Sequence, residues 1–299
     1  MSRLFDSLQN VSKEGNEPEL WPVELDGAAR APELPSIVAG LETAPANGIE
    51  SSAAVRTVER AEPVRVEIGP AARLVVHTDP GGAAAARFRL LRVQLRGLSH
   101  KASLRSILIT SATPQEGKST VALNLATALA EGGSRSVLLI DADLHRSNIE
   151  RVLGLKARPG LAECLGRSQN PDQFVTRLDP LGWHLLPHGE ATGNPSELLQ
   201  TAPFAGLLQD LLRRFEWILV DSPPVLPLAD AVSLSRHTDA SLVVARAGQT
   251  PRAAVEETVS LLGERCVLGV LLNGAESIGK GYSKYYRYYK RPATPQEAL

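Results

Sequence analysis

Three groups of residues in this 299-residue chain have the types and spacing for phosphoryl chemistry. The first is the segment SATPQEGKST, in which Ala112-x-x-x-x-Gly117-Lys118-Ser119 has the spacing of a phosphate-binding loop, with Ala for the first Gly. Backbone N–H groups of such a loop and of the helix after it cradle phosphates. The candidate nucleotide-binding residues are Thr113, Pro114, Gln115, Glu116, Gly117, Lys118, Ser119 and Thr120. Lys118 would bridge the β- and γ-phosphates, and the Ser119 hydroxyl would ligate Mg²⁺. The second group is carboxylates: Asp141 and Asp143 close the run VLLIDAD, and Asp221 closes WILVD. One of these carboxylates must help hold Mg²⁺, and another is free to accept a proton. The third group offers an acceptor. All five tyrosines, Tyr282, Tyr285, Tyr286, Tyr288 and Tyr289, fall in the run GYSKYYRYYK. A folded domain scatters tyrosine, because the ring packs while the hydroxyl finds a partner. A basic tail that holds them all reads as a substrate. A phenol of pKa about 10 needs a base to attack at neutral pH, and Asp141 or Asp143 is placed to serve.

These residues must be positioned by an α/β sheet. Short apolar runs at 106–110, 136–140, 217–220, 241–245 and 267–272, with a weaker one at 183–187, predict strands. Helical periodicity fits 84–98, 118–131, 196–213 and 252–264. Continuous apolar strands separated by helices indicate a mainly parallel, doubly wound sheet covered on both faces. Such sheets bind ligand at the carboxyl ends of their strands, where all three aspartates fall. Upstream, residues 1–11 place Leu4, Phe5, Leu8 and Val11 on one face of a short amphipathic helix. Residues 12–71, rich in Pro, Gly, Glu, Ala and Ser, read as a disordered linker of about 45 Å typical span. The kinase-like domain is then residues 72–276, with a flexible tail over 277–299.

Composition excludes other classes. Net charge is −1, so binding to a polyanion is not expected and no nucleic-acid partner is implied. Cys164 and Cys266 have no metal-ligand spacing, which fits two inert thiols in a reducing cytosol. No apolar run has the length needed to span a bilayer. The chain reads as soluble in the cytosol unless a partner holds it at a membrane.

Together the motifs resemble the bacterial tyrosine autokinases (BY-kinases), of the soluble CapB/CpsD-like type. The resemblance runs over about residues 72–290: ATPQEGKST, VLLIDADL as Walker A′, ILVDSPPVLPLADA as Walker B, GNPSELL, VVARAGQTPR, GVLLNG and the terminal tyrosines. It implies a P-loop NTPase fold of the MinD/ParA-like kind and an ATP- and Mg²⁺-dependent protein-tyrosine kinase. Capsule and exopolysaccharide synthesis and export are the process such enzymes regulate. Lys118, Asp141, Asp143 and Asp221 would be catalytic, with Ser119, Asp143 and Asp221 toward the metal and Asn273 toward adenine. The implied partners are a membrane-embedded polysaccharide co-polymerase acting as activator on a separate chain, further copies of the chain itself, and a cognate tyrosine phosphatase. The alternative is a MinD/ParA-like ATPase or a nucleotide-gated scaffold of the export machinery. The lysine that dimeric relatives carry near the loop start is replaced here by Thr113.

Three positions depart from the family pattern. The interface helix, usually E-x-x-R-x-x-R, reads Ala86-x-x-Arg89-x-x-Arg92, and the bare sequence gives the two arginines an ordinary solvated helix face. Walker A′ continues with His145 and then Arg146 rather than directly with a cation. Gln115 stands where glycine is commoner, which is tolerable at negative φ. Tyr282 and Tyr289 lie nine and sixteen residues past Asn273, a reach of about 30 to 55 Å when extended, enough for transfer to a neighbouring copy. Full modification would turn the tail's five cations into a net charge of roughly −3 to −5.

Overall fold

Residues 63–275 are described in a computed structural model, apart from residues 70, 71, 134, 135, 192, 201 and 202. The helix expected at 1–11, most of the expected linker and the whole tyrosine cluster lie outside the described residues. Eight strands form one sheet: β1 (Val64–Arg65), β2 (Ser106–Ser111), β3 (Val137–Asp141), β4 (Thr176–Asp179), β5 (His184–Leu186), β6 (Trp217–Asp221), β7 (Ala240–Arg246) and β8 (Val267–Asn273). Their order is β1-β4-β5-β3-β6-β2-β7-β8. Every neighbouring pair is parallel except β4–β5.

Nine α-helices are described: α1 (Val75–Thr78), α2 (Ala83–Ala102), α3 (Lys118–Ala130), α4 (Ile149–Val152), α5 (Leu161–Arg167), α6 (Pro195–Leu199), α7 (Pro203–Leu212), α8 (Asp230–Ser235) and α9 (Arg252–Leu262). The single helix expected over 196–213 is two, each with a proline in its first turn. Proline pre-sets φ and needs no N–H there, so each marks a start.

The central strands alternate between two cores, which is what a doubly wound sheet requires. Ile107, Ile109, Val137, Leu139, Trp217 and Leu219 join one core; Leu108, Leu138, Ile140, Ile218 and Val220 join the other. Helix α3 lies in the first core and is buried at every position from Val121 to Ala130. Small residues at Ala122, Ala126 and Ala130 permit that close approach. The same core begins upstream of the expected boundary at residue 72. Val64 and Arg65 pair with β4, Val66 is buried, and Leu74 has no exposed surface. Asn124 of α3 fastens this strap: its Oδ1 accepts from the Val76 N–H at 3.1 Å, and its amide donates to the Arg73 carbonyl at 3.0 Å. No propensity pattern signals a two-residue strand, so its tertiary partners define it.

Arg89 and Arg92 are not on an ordinary solvated face. Both grip Glu131, the residue after α3: Arg89 through Nε at 2.8 Å and Nη2 at 2.5 Å, Arg92 through Nη1 at 2.7 Å. Arg92 also donates to the Ala128 carbonyl and Arg96 to the Leu129 carbonyl. Three guanidinium groups of α2 therefore cap the negative end of α3. Bonds from Arg89, opposed by some burial, hold the Glu131 carboxyl below its usual range. A depressed carboxyl stabilises the fold above its unfolded pKa of about 4.5, and that contribution is lost as pH falls through the folded value. Glu131→Gln is therefore expected to cost about 1–2 kcal/mol at pH 7, a figure discounted for partial exposure. In urea titrations the difference from wild type should shrink steadily below pH 4.5.

Candidate functional site

The loop after β2 and the start of α3 stand where the spacing predicts a phosphate cradle. Helix α3 begins without a side-chain cap and without an acid in its first turn. The first N–H groups of a helix have no intrahelical partner, so an uncapped start is left for an external acceptor. Gly117 precedes it at φ +92°, and a Cβ there would lie 2.0 Å from the Asn273 side-chain nitrogen. The residue must be glycine for both reasons. Asn273, at the end of β8, donates to the Glu116 carbonyl at 2.9 Å and so braces the loop.

Two loop residues differ from expectation. Gln115 has φ +67°, not the negative value expected, so a non-glycine side chain is held in the left-handed region at a cost of about 1 kcal/mol. Glu116 is buried and turned away from the cradle. Its carboxylate accepts from the Thr113 hydroxyl at 2.9 Å, the Thr113 N–H at 3.2 Å and the Thr250 hydroxyl at 2.6 Å. The side chains of Thr113 and Glu116 thus shape the loop. Thr250 escaped the sequence reading as an individual residue, although its segment was recognised.

Parallel register brings the carboxylates together. Asp141 and Asp221 are paired positions on adjacent strands β3 and β6, and the Ala142 N–H bonds the Asp221 carbonyl at 2.8 Å. Lys118 Nζ lies 2.9 Å from Asp143 Oδ2. Burial alone would lower the Lys118 pKa, but Asp221, Asp143 and Asp141 overcome it and hold the ammonium above its ordinary value. Burial lifts Asp221 to about 6, against the pull of Lys118 and a hydrogen bond from Ser119. Burial, then Asp221, push Asp141 well above the carboxylate range despite a hydrogen bond from Ser147. Ser147 is a second residue that no motif signalled.

The donor set fits a magnesium-bound nucleotide. Three carboxylates face one ammonium, and Asp221 Oδ1 is buried without a hydrogen-bond partner. Among the described residues no three His, Cys, Asp or Glu side chains form a protein-only metal cage. Mg²⁺ ordinarily takes one or two carboxylates and completes its shell with phosphate and water, so Ser119, Asp143 and Asp221 suit it. The five tyrosines lie outside the described residues.

Comparison with known proteins agrees with this geometry. A family model described as cellulose biosynthesis protein BcsQ matches residues 106–264. Tyrosine-protein kinase YwqD of Bacillus subtilis (strain 168) is 31% identical over 72% of the chain and 90% of its own length. Tyrosine-protein kinase ptk of Acinetobacter johnsonii is 33% identical over 65% of the chain, which spans only 27% of that protein. The solved kinase domain of Escherichia coli tyrosine kinase ETK superposes with a TM-score of 0.63 at 27% identity, covering 69% of this chain and 83% of that one.

The raised acid makes the empty site a liability that can be measured. Because Asp221 binds its proton more tightly when folded, its ionised form lowers stability above about pH 6, and the cost fades as pH falls toward 4. Without nucleotide or metal, Asp221→Asn should be more stable than wild type by about 1–3 kcal/mol at pH 7 and indistinguishable near pH 4. The same variant should lose the stabilisation that Mg·ATP gives the wild type in thermal melts.

Proposed function

The chain belongs to the bacterial tyrosine-protein kinase family, and on that premise we propose that it is an ATP- and Mg²⁺-dependent protein-tyrosine autokinase. The proposed acceptors are Tyr282, Tyr285, Tyr286, Tyr288 and Tyr289 on a neighbouring copy. The observation that carries the reading is the pairing of an uncapped phosphate cradle with two buried aspartates whose pKa values are raised by burial. A raised pKa makes Asp141 a stronger base toward a phenol than an exposed aspartate would be. In the transfer, the phenolic oxygen bonds to the γ-phosphorus as the bond to the ADP oxygen breaks. The phenolic proton passes to Asp141 or Asp143. Lys118 follows the charge that develops on the β- and γ-phosphate oxygens, and Asn273 braces the loop beside the base. Mg²⁺ held by Ser119, Asp143 and Asp221 would neutralise part of that charge.

The segments outside the described residues belong to the same proposal: an N-terminal helix and linker as a tether, and the tail as substrate. A membrane-embedded co-polymerase on a separate chain is the proposed activator, with regulation of capsule or exopolysaccharide export as the outcome and a tyrosine phosphatase as the reset. Among the described residues no helix is long and apolar enough to cross a membrane. A second reading, a nucleotide-gated scaffold of polysaccharide machinery, draws on the cellulose-biosynthesis family match. Such a scaffold, being catalytically weak, predicts nucleotide binding with little turnover and no phosphotyrosine.

The deciding measurement is phosphopeptide mapping after incubation with ATP, with the activator co-expressed. Wild type should carry phosphate on the terminal tyrosines. Lys118→Met should lower that signal at least about 100-fold, and replacing all five tyrosines by phenylalanine should remove it while nucleotide binding persists. An unmodified C-terminal peptide alongside ATP consumption would refute the kinase reading.

A further inference from the structure

We propose that His145 is a positioning residue, whose bond to Asp230 fixes the loop carrying Asp143 against Lys118. This rests on the phosphoryl-transfer reading of the site, but not on tyrosine as the acceptor. His145 Nε2 lies 2.7 Å from Asp230 Oδ2. Asp230 opens α8 and has no exposed surface, whereas the His145 side chain is 27% exposed. The Ser196 hydroxyl of α6 is 3.4 Å from the same ring nitrogen. Three segments therefore meet at His145: the loop after β3, the start of α6 and the start of α8. Both neighbours share one nitrogen, so the trio cannot relay a proton from serine through imidazole to aspartate, which needs both ring nitrogens.

The loop needs such an anchor. Between β3 and α4 it bonds within itself through the Arg146 N–H to Asp143 Oδ1 at 3.0 Å, and back to the end of β3 through Ser147 and Asp141. Those bonds set its shape at the strand end without tying it to α3 or α8. Leu144 packs into the core, but apolar contact is non-directional and leaves the loop free to rotate. The Ala142 N–H bond belongs to the sheet and ends where the loop begins. Among the described residues three polar ties run from the loop to other elements: Lys118–Asp143, His145–Asp230 and the longer contact of Ser196 with His145. Lys118 must turn to the phosphates when nucleotide binds, which loosens the first. The second then keeps Asp143 in place.

Asp230 depends on the contact in return. Its Oδ1 is buried without a hydrogen-bond partner, so His145 is the side chain that satisfies this carboxylate. Replacing His145 by an apolar residue strands a buried acid, which then has to recruit water or shift. An arginine could reach both oxygens with its fork.

The test uses the full chain and two readouts. One is single-turnover ADP formation at saturating Mg·ATP; the other is the affinity for ADP with and without Mg²⁺. His145→Leu and Asp230→Asn should each slow ADP formation about 10- to 100-fold, with metal-free ADP affinity within about threefold of wild type. Both should lose the tightening of ADP that Mg²⁺ confers. The double variant should be no slower than the worse single, and His145→Arg should restore both readouts. A purely structural role would lower the melting temperature without this split or this rescue. His145→Leu at wild-type rate with normal Mg²⁺ tightening, multiplying losses, or failure of His145→Arg to restore would each overturn the proposal. Because ADP is counted whatever the acceptor, absence of phosphotyrosine bears only on the kinase reading. Should wild type form no ADP, the activity reading falls, and Mg²⁺ tightening alone decides the role of His145.

Discussion

Three carboxylates and one ammonium share the dry carboxyl end of the central strands, and the mismatch in their charge governs the site. Asp141 and Asp221 stand at paired positions of neighbouring strands, which parallel sheets space about 4.8 Å apart. Neither can move away, because each is the last residue of a buried strand. Lys118 offsets part of the charge, and burial with the remaining repulsion raises the pKa of both acids. A cation held by Asp143 and Asp221 would offset the same excess of negative charge. The fit of this end to a metal-bound nucleotide and the cost of ionising its acids thus have one cause.

The cradle opposite these acids is shaped by distant strands. Glu116 would be out of place beside phosphate, yet its carboxylate is consumed by Thr113 within the loop and by Thr250 after β7. Asn273 at the end of β8 holds the Glu116 carbonyl. Gln115 is kept in a left-handed conformation that an isolated peptide would leave. The ends of β2, β7 and β8 therefore have to be in register before the loop can take its shape. Similarity across much of the chain, rather than in one motif, is the expected sequence signature of such dependence.

What was legible in the sequence follows from the same physics. Buried parallel strands are continuous apolar runs, so β2, β3, β6, β7 and β8 could be read directly, as could the helix after Lys118. The carboxyl-end rule placed Asp141, Asp143 and Asp221 in one site. Features made by tertiary partners were not legible. Val64–Arg65 is a strand only because β4 is beside it, and Gln115 takes positive φ only within its braced loop. Ser147 lies outside the recognised segments, and Thr250 and Asp230 lie inside them with no individual role assigned; each acts through a partner six to 134 residues away in sequence. The tyrosine cluster is the reverse case: conspicuous in composition, and outside the described residues.

Helix α3 joins this site to the opposite end of the domain. It is buried from Val121 to Ala130, so its position is set by packing along most of its length, with phosphate expected at its start and Glu131 gripped by α2 at its finish. The sequence departs from its family at Ala86, where the acid that would face these arginines is missing. The structure supplies an acid from within the chain instead. An intersubunit carboxylate would compete with Glu131 for Arg89 and Arg92, at the far end of the helix whose start is the proposed phosphate site. Self-association through α2 would more readily use its exposed Leu90 and Val93, whose burial adds apolar area without breaking an existing bond. Arg89, Arg92 and Arg96 of α2 thus serve the fold, and its Leu90 and Val93 are left exposed.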